Sequence, residues 1–136
     1  MSESIIEELG KSLQTGFVDK SIQSEFIYQP ELIVNRKKPR KKVLTTIIKE
    51  LENCDEFYIS VAFATAGGVA TLINNFKILE ERGIKGKILV SQYLNFTQPE
   101  ALKRLLQFKN IELRIAVSEN SHSKGYIFKT CSHYNL

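Results

Sequence analysis

Residues 56–91, EFYISVAFATAGGVATLINNFKILEERGIKGKILVS, decide the fold. Residues 56–63 are rich in the β-branched and aromatic side chains that favour strands. A turn at Ala66, Gly67 and Gly68 follows, and then Val69, Leu72, Ile73, Phe76 and Leu79 recur at helical spacing along one face. Gly83 and Gly86 flank the passage into residues 87–91, a short apolar run of the kind found in a strand buried on both faces. Strand, helix and strand in this order form a βαβ unit, whose two strands run parallel because a helix carries the chain back across the sheet.

Upstream, Val43, Leu44, Ile47, Ile48 and Leu51 predict a helix before the first strand. Downstream, Thr97 or Gln98 followed by Pro99 opens a further helix carrying Leu102, Leu105 and Leu106, since proline is tolerated in the first helical turn. Residues 111–117 alternate as a strand, and after a polar loop residues 126–128 read as one more. At the other end, Ser4 with Glu7 forms a capping-box pattern, Ile5, Leu9 and Leu13 follow at helical spacing, and Gly16 supplies a stop. Residues 22–35 show no helical period and read as extended. The expectation is an α/β fold, a mostly parallel β-sheet with helices on both faces over residues 43–136. A helix, an extended arm and a basic linker precede it over residues 1–42.

The chain has 136 residues, enough for one compact domain with a real core. Its net charge of +4 is local: residues 36–42 hold six basic side chains, Arg36, Lys37, Lys38, Arg40, Lys41 and Lys42, and without them 13 basic residues face 15 acidic ones. A cluster of this kind contacts nucleic-acid phosphates or forms a solvated linker. No apolar run approaches the length of a membrane span, and residues 1–30 lack the cationic-then-apolar order of a secretory signal, so a cytoplasmic protein with no membrane partner is expected. Two cysteines, Cys54 and Cys131, are too few for a disulfide framework and read as free thiols.

The most specific chemistry lies in Ser121-His122-Ser123-Lys124-Gly125 and the residues after it. On a strand, His122 and Lys124 would project to one face about 7 Å apart, close enough to hold one phosphate between them. A neutral imidazole can attack phosphorus, and an ammonium can neutralise the charge that grows on the non-bridging oxygens. That scheme needs no metal and no cofactor. Cys54, Cys131, His122 and His133 lack the paired spacing of a zinc site. Residues 64–68 lack the Lys-Ser/Thr of a P-loop and read as a plain strand-to-helix turn. Tyr93 could stack on a base, but core or interface packing is the first expectation for its ring.

With a strand ending in Ser60-Val61-Ala62-Phe63, a Gly-rich turn, a helix, residues 82–91 and then H-x-K, the chain resembles the phospholipase D superfamily, as one half of such a domain. More narrowly, Tyr28-Gln29-Pro30-Glu31-Leu32, Val61-Ala62-Phe63 and residues 91–97 are similar to the nuclease-type domain at the N-terminus of certain bacterial superfamily 2 helicases. The resemblance covers residues 25–136. It implies a metal-independent phosphodiesterase acting on nucleic acid, with DNA the first expectation, attached helicase domains, His122 as nucleophile and Lys124 as phosphate clamp. It also implies a second histidine to protonate the leaving oxygen, brought by a homodimer or a second copy of the site; His133 reads as a solvated tail residue.

Two positions depart from the family pattern. The Asp of H-x-K-x4-Asp falls on Lys129, and the Gly-Ser-Ser-Asn-like segment that follows in the family has no counterpart before Leu136, which implies that these residues are a portion of a larger protein. Both departures favour the alternative, a non-catalytic nucleic-acid-binding or dimerisation module of a helicase. A lipid phosphodiesterase is disfavoured by the lack of an amphipathic membrane face.

Overall fold

A computed structural model of the chain describes residues 33–37, 42–117 and 121–131. The expected N-terminal helix over residues 4–16 and most of the extended segment lie outside them. The chain divides after Val43. In the first unit, Asn35 Oδ1 accepts a hydrogen bond of 2.9 Å from the Val43 N–H, one of the donors that a helix start leaves without an internal partner.

The elements run α1 (Val43–Asn53), β1 (Glu56–Val61), α2 (Ala66–Glu81), β2 (Lys85–Ser91), a 3-10 turn (Tyr93–Asn95), α3 (Pro99–Leu105), β3 (Ile111–Ala116) and β4 (Gly125–Lys129). The four strands form one sheet in the order β3-β2-β1-β4, with β1, β2 and β3 parallel and β4 antiparallel to β1. The βαβ reading of residues 56–91 therefore stands, and so does the α/β class with a mostly parallel sheet. Direction changes at β4 because only residues 117–124 join it to β3, and a parallel return needs a crossover of a dozen or more residues.

Helix boundaries follow local chemistry. Thr65 caps α2, its hydroxyl accepting from the Gly68 N–H at 3.1 Å. At the other end Gly83 takes φ 71°, and the N–H groups of Gly83 and Ile84 reach back to the carbonyls of Glu80 and Leu79, both at 2.9 Å. This is the paired ending that a left-handed residue after a helix permits, and it turns Ile84 onto the core beside Leu79. Pro99 stands in the first turn of α3, where its missing N–H costs nothing.

One core joins the three described helices to one face of the sheet. Leu51 and Cys54, Val69, Phe76 and Leu79, and Ala101 and Leu105 pack with Phe57, Ile59, Ile88, Val90 and Ile111. The Phe57 and Phe76 rings stack at 5.9 Å, and Phe76 meets Phe108 edge to face at 5.8 Å. Gly86 lies opposite Phe57 in the register, and a Cβ there would run into the Phe57 ring. The close approach of that ring to the β2 backbone requires glycine at this point.

The expectation of helices on both faces is corrected for the described residues. In β2, Gly86, Ile88 and Val90 are buried while Lys85, Lys87 and Leu89 are exposed, so this strand is buried on one face rather than two. The open face carries paired charges: across strands, Lys129 lies 3.7 Å from Glu56 and Lys87 4.0 Å from Glu112, and along β3 Arg114 lies 2.6 Å from Glu112. Side chains that ionise and pair in solvent have no need of a second helical layer. Among the described residues no helix is long and apolar enough to cross a membrane.

Candidate active site

The carboxyl ends of β1 and β2 face the start of β4, at the edge where open α/β sheets commonly bind ligands. Gly125 pairs with Ser60, so the residues just before it arrive beyond the end of β1. His122 and Lys124 lie in that approach, three residues and one residue before the strand on which sequence places them. They are brought together all the same: Lys124 Nζ is 3.2 Å from His122 Nε2. Where Nε2 is the unprotonated ring nitrogen it accepts from the ammonium, and its lone pair is turned toward the cation. Ser121 and Ser123 shape the approach, their hydroxyls 2.8 Å apart and the Ser123 N–H bonded to Ser121 Oγ at 3.3 Å.

Two aromatic rings position the pair. Tyr93, in the 3-10 turn after β2, meets the His122 ring edge to face at 4.5 Å between centroids, and Lys124 Nζ lies 5.9 Å from the centre of the Phe63 ring. Phe63 in turn meets Phe96 edge to face at 5.7 Å. These aromatics reach the site because β1 and β2 end side by side, and the Tyr93 N–H bonds to the Ala62 carbonyl at 3.3 Å. Sequence assigns Tyr93 to core or interface packing; its half-buried ring instead rests on the histidine. The available signal is its position two residues past β2. Phe63 also walls an apolar cavity of about 260 Å³, together with Thr65, Gly68, Val69, Leu72 and Tyr126.

The first turn of α2 is occupied by its own partners. Besides the Thr65 cap, the Ala66 N–H bonds to Gln98 Oε1 at 2.8 Å. The plain-turn reading of residues 64–68 agrees with that arrangement.

Lys129 is not beside His122 and Lys124. It lies at the far end of β4, opposite Glu56 in the register, on the open face of the sheet. The Tyr58 hydroxyl, bonded to the Glu56 carboxylate, holds Glu56 below the ordinary glutamate range, with Lys129 and Lys87 adding to the effect against a smaller opposing effect of desolvation. The same bond raises Tyr58 above the usual phenol range. Lys129 thus serves the sheet.

Arg36, Lys37 and Lys42 are exposed, and Lys38, Arg40 and Lys41 lie outside the described residues, as does His133. Cys54 is buried, donates to the Leu51 carbonyl at 3.2 Å, and has its thiol pKa pushed up by burial. Cys131 is exposed, and its N–H bonds to Asp55 Oδ2 at 2.6 Å. Among the described residues no three His, Cys, Asp or Glu side chains gather as a metal site would.

Comparison with protein-family models gave no match, and comparison with curated proteins gave none either.

Proposed function

We propose that the chain is a phosphodiesterase domain acting on nucleic acid, DNA in the first instance, of the phospholipase D type. The observation that carries this reading is the 3.2 Å convergence of His122 Nε2 and Lys124 Nζ at the carboxyl edge of a mostly parallel sheet. A phosphodiester entering there displaces the direct contact and takes the ammonium on a non-bridging oxygen. His122 Nε2 then forms an N–P bond as the P–O bond to the leaving nucleotide breaks. The leaving oxygen takes a proton from a second imidazole, supplied by a second copy of the site. Water then attacks phosphorus and gives its proton to that second imidazole, the N–P bond breaks, and the His122 imidazole leaves neutral. Opposite protonation states of two histidines near neutral pH are within the range that environment sets.

Lys129 favours a second reading. In the resemblance its position belongs to an Asp, and here it is committed to Glu56 at the other end of the strand. A module that binds nucleic acid through His122 and Lys124 without cutting it would tolerate that exchange.

A cleavage assay on plasmid and oligonucleotide DNA in EDTA separates the two. The phosphodiesterase reading expects cleavage by the wild-type chain, loss of it to the buffer background in His122→Ala, and retention of DNA binding by that variant. Equal trace cleavage by both proteins sinks it in favour of the binding module.

A further inference from the structure

The loop after β2, whose Tyr93 ring meets His122 and whose Phe96 ring meets the Phe63 ring near Lys124, presents large apolar side chains to solvent from a pinned backbone. The Tyr93 N–H bonds to the Ala62 carbonyl at 3.3 Å and the Gln98 N–H to the Ala64 carbonyl at 2.9 Å. The Ala64 N–H bonds to Thr97 Oγ1 at 3.3 Å, and that hydroxyl donates to the Ser91 carbonyl at 2.9 Å. Held between these ties, Leu94 and Asn95 take φ 48° and 57°. Asparagine tolerates that region; leucine does not adopt it without cost, and such residues persist where their surroundings over-determine them. Leu94 is nevertheless 59% exposed and Phe96 54%. A strained leucine and an open phenylalanine on a fixed loop, next to a converging cation and lone pair, are arranged for a ligand that covers them.

We infer that Leu94 and Phe96 form a ledge on which an unpaired base stacks beside the phosphate held by His122 and Lys124, so that the substrate is single-stranded nucleic acid. The inference rests on the phosphodiester reading of the His122–Lys124 pair. Its geometry is a short chain of contacts: Lys124 Nζ lies 5.9 Å from the Phe63 ring centre, and Phe63 lies 5.7 Å from Phe96. A nucleotide offers the matching pair of groups, an anion tethered to a flat ring with a π face. Every base has that face, so the ledge is tolerant of sequence. In a duplex the faces are stacked on neighbouring base pairs, and the backbone alone would reach the site.

The test is fluorescence anisotropy with the full chain and three labelled ligands: a short mixed-sequence single strand, its duplex, and an abasic strand of equal length. Wild type is expected to bind the single strand more tightly than the abasic strand by about fivefold or more, the scale of one stacked base. Phe96→Ala and Leu94→Asn should each remove that preference and leave duplex affinity unchanged. Leu94→Asn should do so without lowering Tm, because asparagine suits the backbone there.

Unchanged single-strand binding in Phe96→Ala overturns the inference, as do equal reductions on all three ligands. Phe96-dependent binding to vesicles of anionic phospholipid, with none on the single strand, also overturns it and assigns the ledge to a lipid surface. Cleavage that needs His122 but shows no base preference defeats the ledge alone. A base preference abolished in Phe96→Ala, with no His122-dependent cleavage, defeats the catalytic reading and leaves the ledge standing.

Discussion

His122 and Lys124 touch in the approach to β4, where the Ser121 and Ser123 hydroxyls meet at 2.8 Å and where Tyr93 and Phe63 supply a ring for each. The H-x-K spacing is legible in the sequence, but the way it closes is not. Alternation along a strand predicts two side chains on one face about 7 Å apart, whereas the loop lets them close to hydrogen-bonding distance. At the other end of β4, Glu56, held by the Tyr58 hydroxyl and then by Lys129, sets a pH dependence. A carboxylate held below its ordinary range adds stability at neutral pH and loses it as pH falls through the folded pKa. Wild type should therefore have a higher Tm than Glu56→Gln at pH 7, with the gap closing as pH falls below about 4.5, the ordinary glutamate value. A gap that stays constant down to pH 3 would contradict the assignment. Lys129→Asp, which installs the residue of the family pattern, should lower Tm at pH 7, because it sets two carboxylates opposite each other across β1 and β4. An unchanged or higher Tm would show that the ion pair is not what Lys129 contributes.

Among the elements, the tightest requirement is where β1 and β2 pass each other. Phe57 fills the space above Gly86, so Gly86→Ala should cost about 1–3 kcal/mol, the scale of overpacking a closed core. Urea unfolding would show it as a lower midpoint at unchanged slope. Phe57→Leu in the same chain should recover part of that stability, and strict additivity of the two would contradict the packing of one against the other. The βαβ core is legible because periodicity switches cleanly, from strand formers to a 3.6-residue repeat and back. The direction of β4 is not, since strand propensity carries no sign. The length of the linker over residues 117–124 carries it instead. Leu106, which sequence assigns to the helix with Leu102 and Leu105, lies just past its end at Leu105 and is 67% exposed.

On the whole-molecule scale, the three described helices share one core and one face of the sheet, while the other face is a lattice of paired charges. Sequence suggests a strand buried on both faces in residues 87–91, since Ile88, Leu89 and Val90 run together. Exposed Leu89 is the residue that misleads: its neighbours across the sheet, Ser60 and Arg114, are polar. Charge is more legible than layering, because the positive balance is confined to residues 36–42 whatever the fold around it. Replacing Lys37, Lys38, Arg40 and Lys41 with alanine should weaken DNA binding and flatten its salt dependence, by about 0.9 in log–log slope for each duplex phosphate no longer neutralised. An unchanged slope would show that the basic run is a solvated linker.

In the proposed reaction phosphorus passes through His122. The direct measurement is mass spectrometry of the chain quenched in alkali during turnover of an oligonucleotide, since an N–P bond survives base better than acid. A nucleotide adduct is expected on the peptide containing His122, and none in His122→Ala. Turnover that leaves that peptide unmodified, or an adduct that persists in His122→Ala, would contradict it.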